Sequence, residues 1–376
     1  MPLRSLLKAA IEGGASDLHL KAGSAPMLRV RGTLVPIPGG EPLDHSDLRA
    51  IADRVIPPAQ RAVFSERHDV DFAYSAQDLG RFRCNAFKQR GAIGLIFRVV
   101  PMHIPSIDEL RLPTALTAIA REERGLVLVT GTTGSGKSTT LAALIDQVND
   151  SRTAHVMTIE DPIEFLHTDK RSIVNQRELG TDTLTFSGAL RSALRQDPDV
   201  IMVGEMRDHH TIETALLAAE TGHLVFSTLH TVDATETINR IIATFPPHQQ
   251  PQIRLQLGSV LKAVISQRLV PTVDGLSRVP AVEILVGTPL VRSCIVDGER
   301  THLIPDAIAQ GTSQYGMQTF DQSLLGLHRD GLVTFEEALH WATDVDDFTL
   351  RARGIVSGTE APQAKAQDTE ITRFGA

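Results

Sequence analysis

A chain of 376 residues has room for about two to three domains and at least one sizeable core, and its 42% hydrophobic and 22% charged residues exclude the composition of a disordered protein. Its 37 basic and 45 acidic residues leave a net charge of −8, which argues against affinity built on neutralising many nucleic-acid phosphates. Two distant cysteines, Cys84 and Cys294, exclude a disulfide framework or four-cysteine zinc site. No apolar run approaches the roughly 18 residues of a membrane span, and Glu12 and Asp17 interrupt what would be a signal-peptide core. The expectation is a chain with no integral membrane segment, at work in a reducing cytoplasm.

In chain order, Leu3, Leu6, Leu7, Ala10 and Ile11 fall at helical spacing and predict a helix over 3–11, ended by Gly13-Gly14. Strand signals follow at 16–20, 27–32 and 80–100, with a helix, LRAIADRVI, between them. Residues 1–100 therefore read as a small α+β domain. In the strand that starts at Gly80, period-2 alternation sets Arg81, Arg83 and Asn85 on one face and Phe82, Cys84 and Ala86 on the other, so the arginines are expected to point away from that domain's own core. Residues 101–113 hold three prolines and no sustained period, as an interdomain linker would.

From Gly125 the pattern changes to short apolar strands alternating with helices: GLVLVTG, TLAALIDQV, HVMTIED, FSGALRSALRQ, DVIMVGE, TIETALLAAETG and HLVFSTLH. Continuous Val/Ile/Leu strands in that alternation predict a parallel sheet covered on both faces. Past residue 245 the chain reads as mostly helical, with QIRLQLGSVLKAVISQRLV as one long helix and two more starting at the capping boxes Thr319–Gln322 and Thr334–Glu337. The main domain is expected over 114–350. Residues 351–376 have no period and are expected to form a disordered tail.

The sharpest motif runs from Gly131 through Thr132, Thr133, Gly134, Ser135 and Gly136 to Lys137 and Ser138, with Thr139 next. It is a GxxxxGK[ST] phosphate loop. Small residues let successive N–H groups face phosphate oxygens while the helix N-terminus adds partial positive charge. Lys137 is then expected to reach the β/γ-phosphates and Ser138 to ligate Mg²⁺. Carboxylates gather at other strand ends, where open α/β sheets bind ligands. Glu205, after DVIMVG, suits the base that activates water, although Gly204 stands before it where an Asp is usual. Glu160 and Glu164, after HVMTI, are candidates to support the metal through water, Glu160 as metal holder and Glu164 as a further catalytic group. His223 and His230 bracket the strand HLVFSTLH, and His230 is placed to sense the γ-phosphate.

Four ordered boxes then carry a resemblance. GTTGSGKS at 131–138, TIEDPIEF at 158–165, LRQDPDVIMVGEMRD at 194–208 and HLVFSTLHTVDA at 223–234 resemble the Walker A, Asp, Walker B and His boxes of the type II/IV secretion ATPases. The opening ASDLHL at 15–20, the stretch 316–339 and the modest length resemble the PilT-type pilus retraction branch. The tetracysteine zinc motif and longer N-terminal region of extension and secretion ATPases do not occur. Residues 290–297, LVRSCIVD, align with an AIRNLIRE-like motif of close members only at Arg292 and Ile295, so the coupling role implied for that helix rests on two residues.

The resemblance implies an α/β architecture: a RecA-like P-loop ATPase domain behind a PAS-like N-terminal domain. It further implies a cytoplasmic homohexamer, peripheral to the inner membrane at the pilus base, that works on an inner-membrane platform protein and, as a further partner, a paralogous pilus ATPase. Glu205 takes the catalytic role by this analogy. Arginines of the N-terminal domain close over ATP, with Arg81 and Arg83 as first candidates and Arg98 and Arg195 as others. Two alternatives stand beside it: an accessory paralogue with weak or no hydrolysis, and a RecA-like nucleic-acid motor, which 4% aromatics and the negative charge disfavour.

Overall fold

The structure, a computed structural model, describes residues 2–355. It separates into two compact units, Met1–Ser106 with Leu141–Gly204 and Ile107–Thr140 with Glu205–Ala376. In the first unit the helix Leu3–Glu12 forms where leucine spacing predicts it and buries Leu3, Leu6, Leu7 and Ala10. The strands that follow are β1 (Asp17–Leu20), β2 (Met27–Val30), β3 (Thr33–Pro36), β4 (Asp69–Ala76), β5 (Gly80–Gln89) and β6 (Ala92–Val99). They form a sheet in the order β3-β2-β1-β6-β5-β4, with antiparallel neighbours throughout. The predicted 80–100 run is a hairpin whose turn, Arg90-Gly91, has both residues at positive φ, which matches the twist of paired strands. Phe82, Cys84 and Ala86 are buried beside Leu18 and Phe97, as alternation requires. The helix His45–Val55 starts at a complete capping box between Asp44 and Asp47.

Downstream come β7 (Gly125–Thr130), β8 (His155–Glu160), β9 (Ile173–Glu178), β10 (Val200–Val203), β11 (Leu224–Leu229), β12 (Leu261–Pro271) and β13 (Arg278–Val286). Within the first unit β10, β8 and β9 pair in parallel in that order. Within the second, β11 and β12 flank β7 in parallel, and β13 joins β12 in the opposite direction.

Two expectations are corrected here. Residues 261–270 are not the second half of a helix, because the helix Gln250–Val260 ends at Leu261, whose ψ of 118° is extended. Ala263 to Gln267 are all buried, so residues on both faces of β12 are covered, and such a strand loses the period-2 signature. The purely parallel sheet is also corrected, by antiparallel β13.

The capping box at Thr319–Gln322 is complete. At Thr334 it is half made: Thr334 accepts the Glu337 amide, but the Glu337 carboxylate receives Trp341 Nε1 at 3.3 Å instead of reaching back. Arg351 and Ala352, at the start of the expected tail, close the helix Val345–Ala352; residues 356–376 lie outside the described residues.

Candidate active site

All six residues of β7 are buried, and the chain leaves it through Gly131 at φ 141°, Gly134 at 80° and Gly136 at 91°. These are backbone conformations that side chains with a Cβ resist. At Gly131 space forbids one as well, since a Cβ would lie 2.5 Å from Gln267 O and 2.5 Å from Ser135 Oγ. The helix Lys137–Ser151 begins directly after this loop, so its unpaired N–H groups and positive end face the same place. Lys137, largely buried, folds back and donates from Nζ to Gly131 O at 2.8 Å and Thr132 O at 2.9 Å. A cation is thereby held over a glycine cradle.

Two buried polar atoms in this unit have no hydrogen-bond partner among the described residues, Ser135 Oγ and Gln267 Oε1. Gln267 is fixed through its other end, Nε2 donating to Thr140 Oγ1 at 2.9 Å. A cavity of about 580 Å³ opens beside the loop, bounded by Ser135, Gly136 and Thr139 and by the apolar side chains of Leu110, Leu269 and Val279. Sequence reasoning missed Gln267 and this wall, because they come from the presumed linker and from the strand pair read as helix or not read at all.

Glu205 and His230, predicted separately, meet. Glu205 Oε2 lies 3.5 Å from His230 Nε2, and Oε1 forms an ion pair with Arg207, 2.7 Å from its Nε. The backbone holds them in place: Met206 N donates to Thr228 O at 3.2 Å, which ties the residue after Glu205 to the end of β11. Arg207 was not foreseen, and only its spacing of two from Glu205 could have signalled it. His223 sits at the opposite end of β11 and binds Ala218 O through Nδ1 at 2.9 Å, a tie between helix end and strand start with no share in this cluster. His209, His210 and Glu213 place ligand atoms within 4.8 Å of one another on the first turn of the helix His209–Glu220, but the positive end of a helix opposes a cation there.

In the first unit, Glu160 is buried and accepts from Thr158 Oγ1 at 2.6 Å and Gln176 Nε2 at 3.0 Å. Burial pushes its carboxyl above the ordinary range, against these two hydrogen bonds. Glu164 is exposed. Arg81 pairs with Glu178, Nη2 to Oε2 at 3.0 Å, with side chains 18% and 6% exposed; Glu178 also accepts the Ile163 amide at 3.1 Å. Arg83 is exposed, at the rim of a cavity of about 490 Å³ that Asp17, Asp71, Arg98 and Asp161 also line. Arg98 binds Asp17 at 2.9 Å, and the exposed Arg195 reaches back to Arg191 O at 3.2 Å.

Residues 106–315 match the family of type II/IV secretion system proteins. The type IV pilus retraction ATPase PilT of Pseudomonas aeruginosa is 46% identical over 350 residues, 93% of this chain and 100% of that protein. The type IV pilus ATPase PilU of the same organism is 43% identical over 350 residues, 93% of this chain and 91% of its own length. Among solved structures, that of the pilus retraction motor PilT with bound ADP superposes with a TM-score of 0.83 at 44% identity, covering 92% of this chain and 98% of the other. No helix among the described residues is long and apolar enough to cross a membrane. With its N-terminal α+β region, RecA-like core and glycine-cradled lysine, the chain belongs to the type II/IV secretion ATPases, as a nucleotide-binding pilus retraction ATPase.

Proposed function

We propose that this chain is the working motor of pilus retraction: a cytoplasmic homohexamer on the inner-membrane face of the pilus base that couples ATP hydrolysis to turning a platform protein and returning pilin subunits to the bilayer. The observation that carries it is the Lys137 ammonium folded onto the carbonyls of Gly131 and Thr132, in the same compact unit as a carboxylate flanked by Arg207 and His230. In the proposed cycle Lys137 exchanges those carbonyls for phosphate oxygens, and the loop amides of 131–139 hold the remaining charge. Ser135 Oγ and Gln267 Oε1, buried with no hydrogen-bond partner among the described residues, are a hydrogen-bonding capacity that a bound nucleotide or its water would satisfy. The apolar wall of Leu110, Leu269 and Val279 suits the base and sugar.

Glu205 takes the proton of the attacking water, held in orientation by Arg207 and His230. Magnesium, when bound, neutralises charge on the β- and γ-phosphate oxygens; Ser138 and, through water, Glu160 are the proposed holders, with Glu164 as a supporting carboxylate. The hard oxygen donors fit that cation. Arg83 is the proposed finger on the nucleotide, and Arg81 serves in that role only if it leaves Glu178. We assign 1–100 to a PAS-like N-terminal domain, 101–113 to the linker and 114–350 to the motor, so that hydrolysis changes the angle at the linker.

A second reading is an accessory pilus ATPase paralogue with weak or no hydrolysis of its own; the chain is 43% identical to PilU, a type IV pilus ATPase whose name carries no retraction role. Phosphate release by the purified chain with magnesium and ATP separates the two. A deletion strain with excess surface pili and no twitching supports retraction, bald cells reverse the direction, and stimulation of turnover by single-stranded DNA returns the chain to the nucleic-acid motors.

A further inference from the structure

One buried acidic residue takes no part in that account. Glu283 lies in β13 amid Val282, Ile284 and Leu285, and is 8% exposed. Register places it directly opposite Ser266 of β12, and Ser266 opposite Thr130, the last residue of β7 before the phosphate loop. The side chains form a row across three strands: Thr130 Oγ1 donates to Ser266 Oγ at 3.0 Å, and Ser266 Oγ donates to Glu283 Oε1 at 3.4 Å. The same Oε1 accepts the backbone amide of Ala234 at 2.8 Å. Ala234 is the first residue of the helix Ala234–Ala243, whose N-cap, Asp233, accepts the Glu236 amide at 2.7 Å. Two carboxylates thus share the unpaired donors of one helix start.

That helix start fixes the turn before it. Val232 N donates to Glu236 Oε2 at 2.9 Å, and the hydroxyls of Thr231 and Thr237 are 2.6 Å apart. His230, which faces Glu205, is the residue before Thr231. We propose that Glu283 is a positioning residue for hydrolysis: by receiving the Ala234 amide and the Ser266 hydroxyl, it ties the turn that carries His230 to the strand that carries the phosphate loop. Two groups bear on its charge, Asp233 at the N-cap and Arg268 from β12; the Arg268 guanidinium is itself stacked over Phe320 at 3.9 Å and bound to Trp341 O at 2.8 Å. A phosphate-dependent movement at either end of this row is transmitted to the other through these hydrogen bonds.

The inference rests on the proposed role of His230, so the test includes that residue. Glu283→Leu removes both acceptor contacts at similar volume and is expected to lower kcat roughly tenfold while leaving the nucleotide Kd within about twofold. Glu283→Gln keeps an acceptor for Ala234 and restores most of the rate, which distinguishes positioning from acid–base chemistry. In a His230→Ala background, Glu283→Leu should cost nothing further, because the group it acts through is gone. If Glu283→Leu does not fold, Ser266→Ala breaks the row instead, removing the hydroxyl that joins Thr130 to Glu283. It should reproduce the kcat-only loss. A loss of equal size in both backgrounds, or a fall in affinity that tracks the melting temperature, overturns the proposal. If His230→Ala alone leaves kcat unchanged, the assignment of His230 fails first.

Discussion

Arg81 provides a discriminating test, because its geometry makes a demand that a free catalytic arginine would not. Its guanidinium is 3.0 Å from the Glu178 carboxylate, with the two side chains 18% and 6% exposed. Breaking a fully buried pair costs about 3–5 kcal/mol, and an exposed pair is worth about 0–1 kcal/mol. Arg81 keeps some contact with solvent, and Glu178 keeps the Ile163 amide at 3.1 Å, so Arg81→Ala should cost about 2 kcal/mol. For a unit of roughly 150–250 residues that lowers its melting transition by about 4–8 °C. Arg83→Ala, at an exposed position, should stay within about 0.5 kcal/mol of the parent, and any loss of turnover there reports on the nucleotide. Adding Glu178→Gln to Arg81→Ala should recover part of the loss, because no unpaired carboxylate is left. Melting curves and phosphate release on the four proteins suffice. An Arg81→Ala chain that melts with the parent yet loses turnover on the order of 10³-fold, the scale of an arginine finger, would refute the ion-pair reasoning and return Arg81 to the phosphates.

Three further outcomes follow from the site. Gly131→Ala, with φ at 141° and a Cβ 2.5 Å from backbone Gln267 O, should carry about 1–3 kcal/mol of strain and lose nucleotide binding by fluorescence titration. Lys137→Ala removes a charged donor worth about 1.5–3 kcal/mol and should weaken nucleotide affinity some 10- to 100-fold by calorimetry. Burial raises the Glu283 carboxyl from 4.5 to about 7. The folded state then binds more protons than the unfolded one between those values, so stability attributable to this group falls as pH rises through that window, by about 3 kcal/mol in all. Glu283→Gln should abolish that slope in denaturant titrations, and an unaltered slope would reassign it.

What the sequence disclosed follows from how local each cause is. The phosphate loop is legible because glycine φ angles, the following helix and Lys137 all lie within eight residues. The faces of β5 are equally local, and Phe82, Cys84 and Ala86 are buried as alternation demands. The fate of Arg81 is not: alternation turns it away from its own core, but the carboxylate it meets lies 97 residues on. β12 was misread for a related reason. Cover on both faces buries Ala263 to Gln267 in succession, and Leu261, Val264 and Ile265 also fall at i, i+3 and i+4, which passes for a helix. β9 and β13 were missed, yet β13 carried a signal in Glu283, a lone carboxylate inside AVEILV that can be buried only with hydrogen bonds. Glu205 and His230 were each marked by a strand end; that they meet, with Arg207 as the third member, depends on how β11 is held.

The claim at the centre is that Glu205 activates water at the cradle built around Lys137. Single-turnover hydrolysis by Glu205→Gln, with nucleotide binding measured on the same protein, tests it most directly. ATP bound within about threefold of the parent affinity, with cleavage reduced by at least about 10², is the expected result; cleavage near the parent rate would place the base elsewhere and contradict the account.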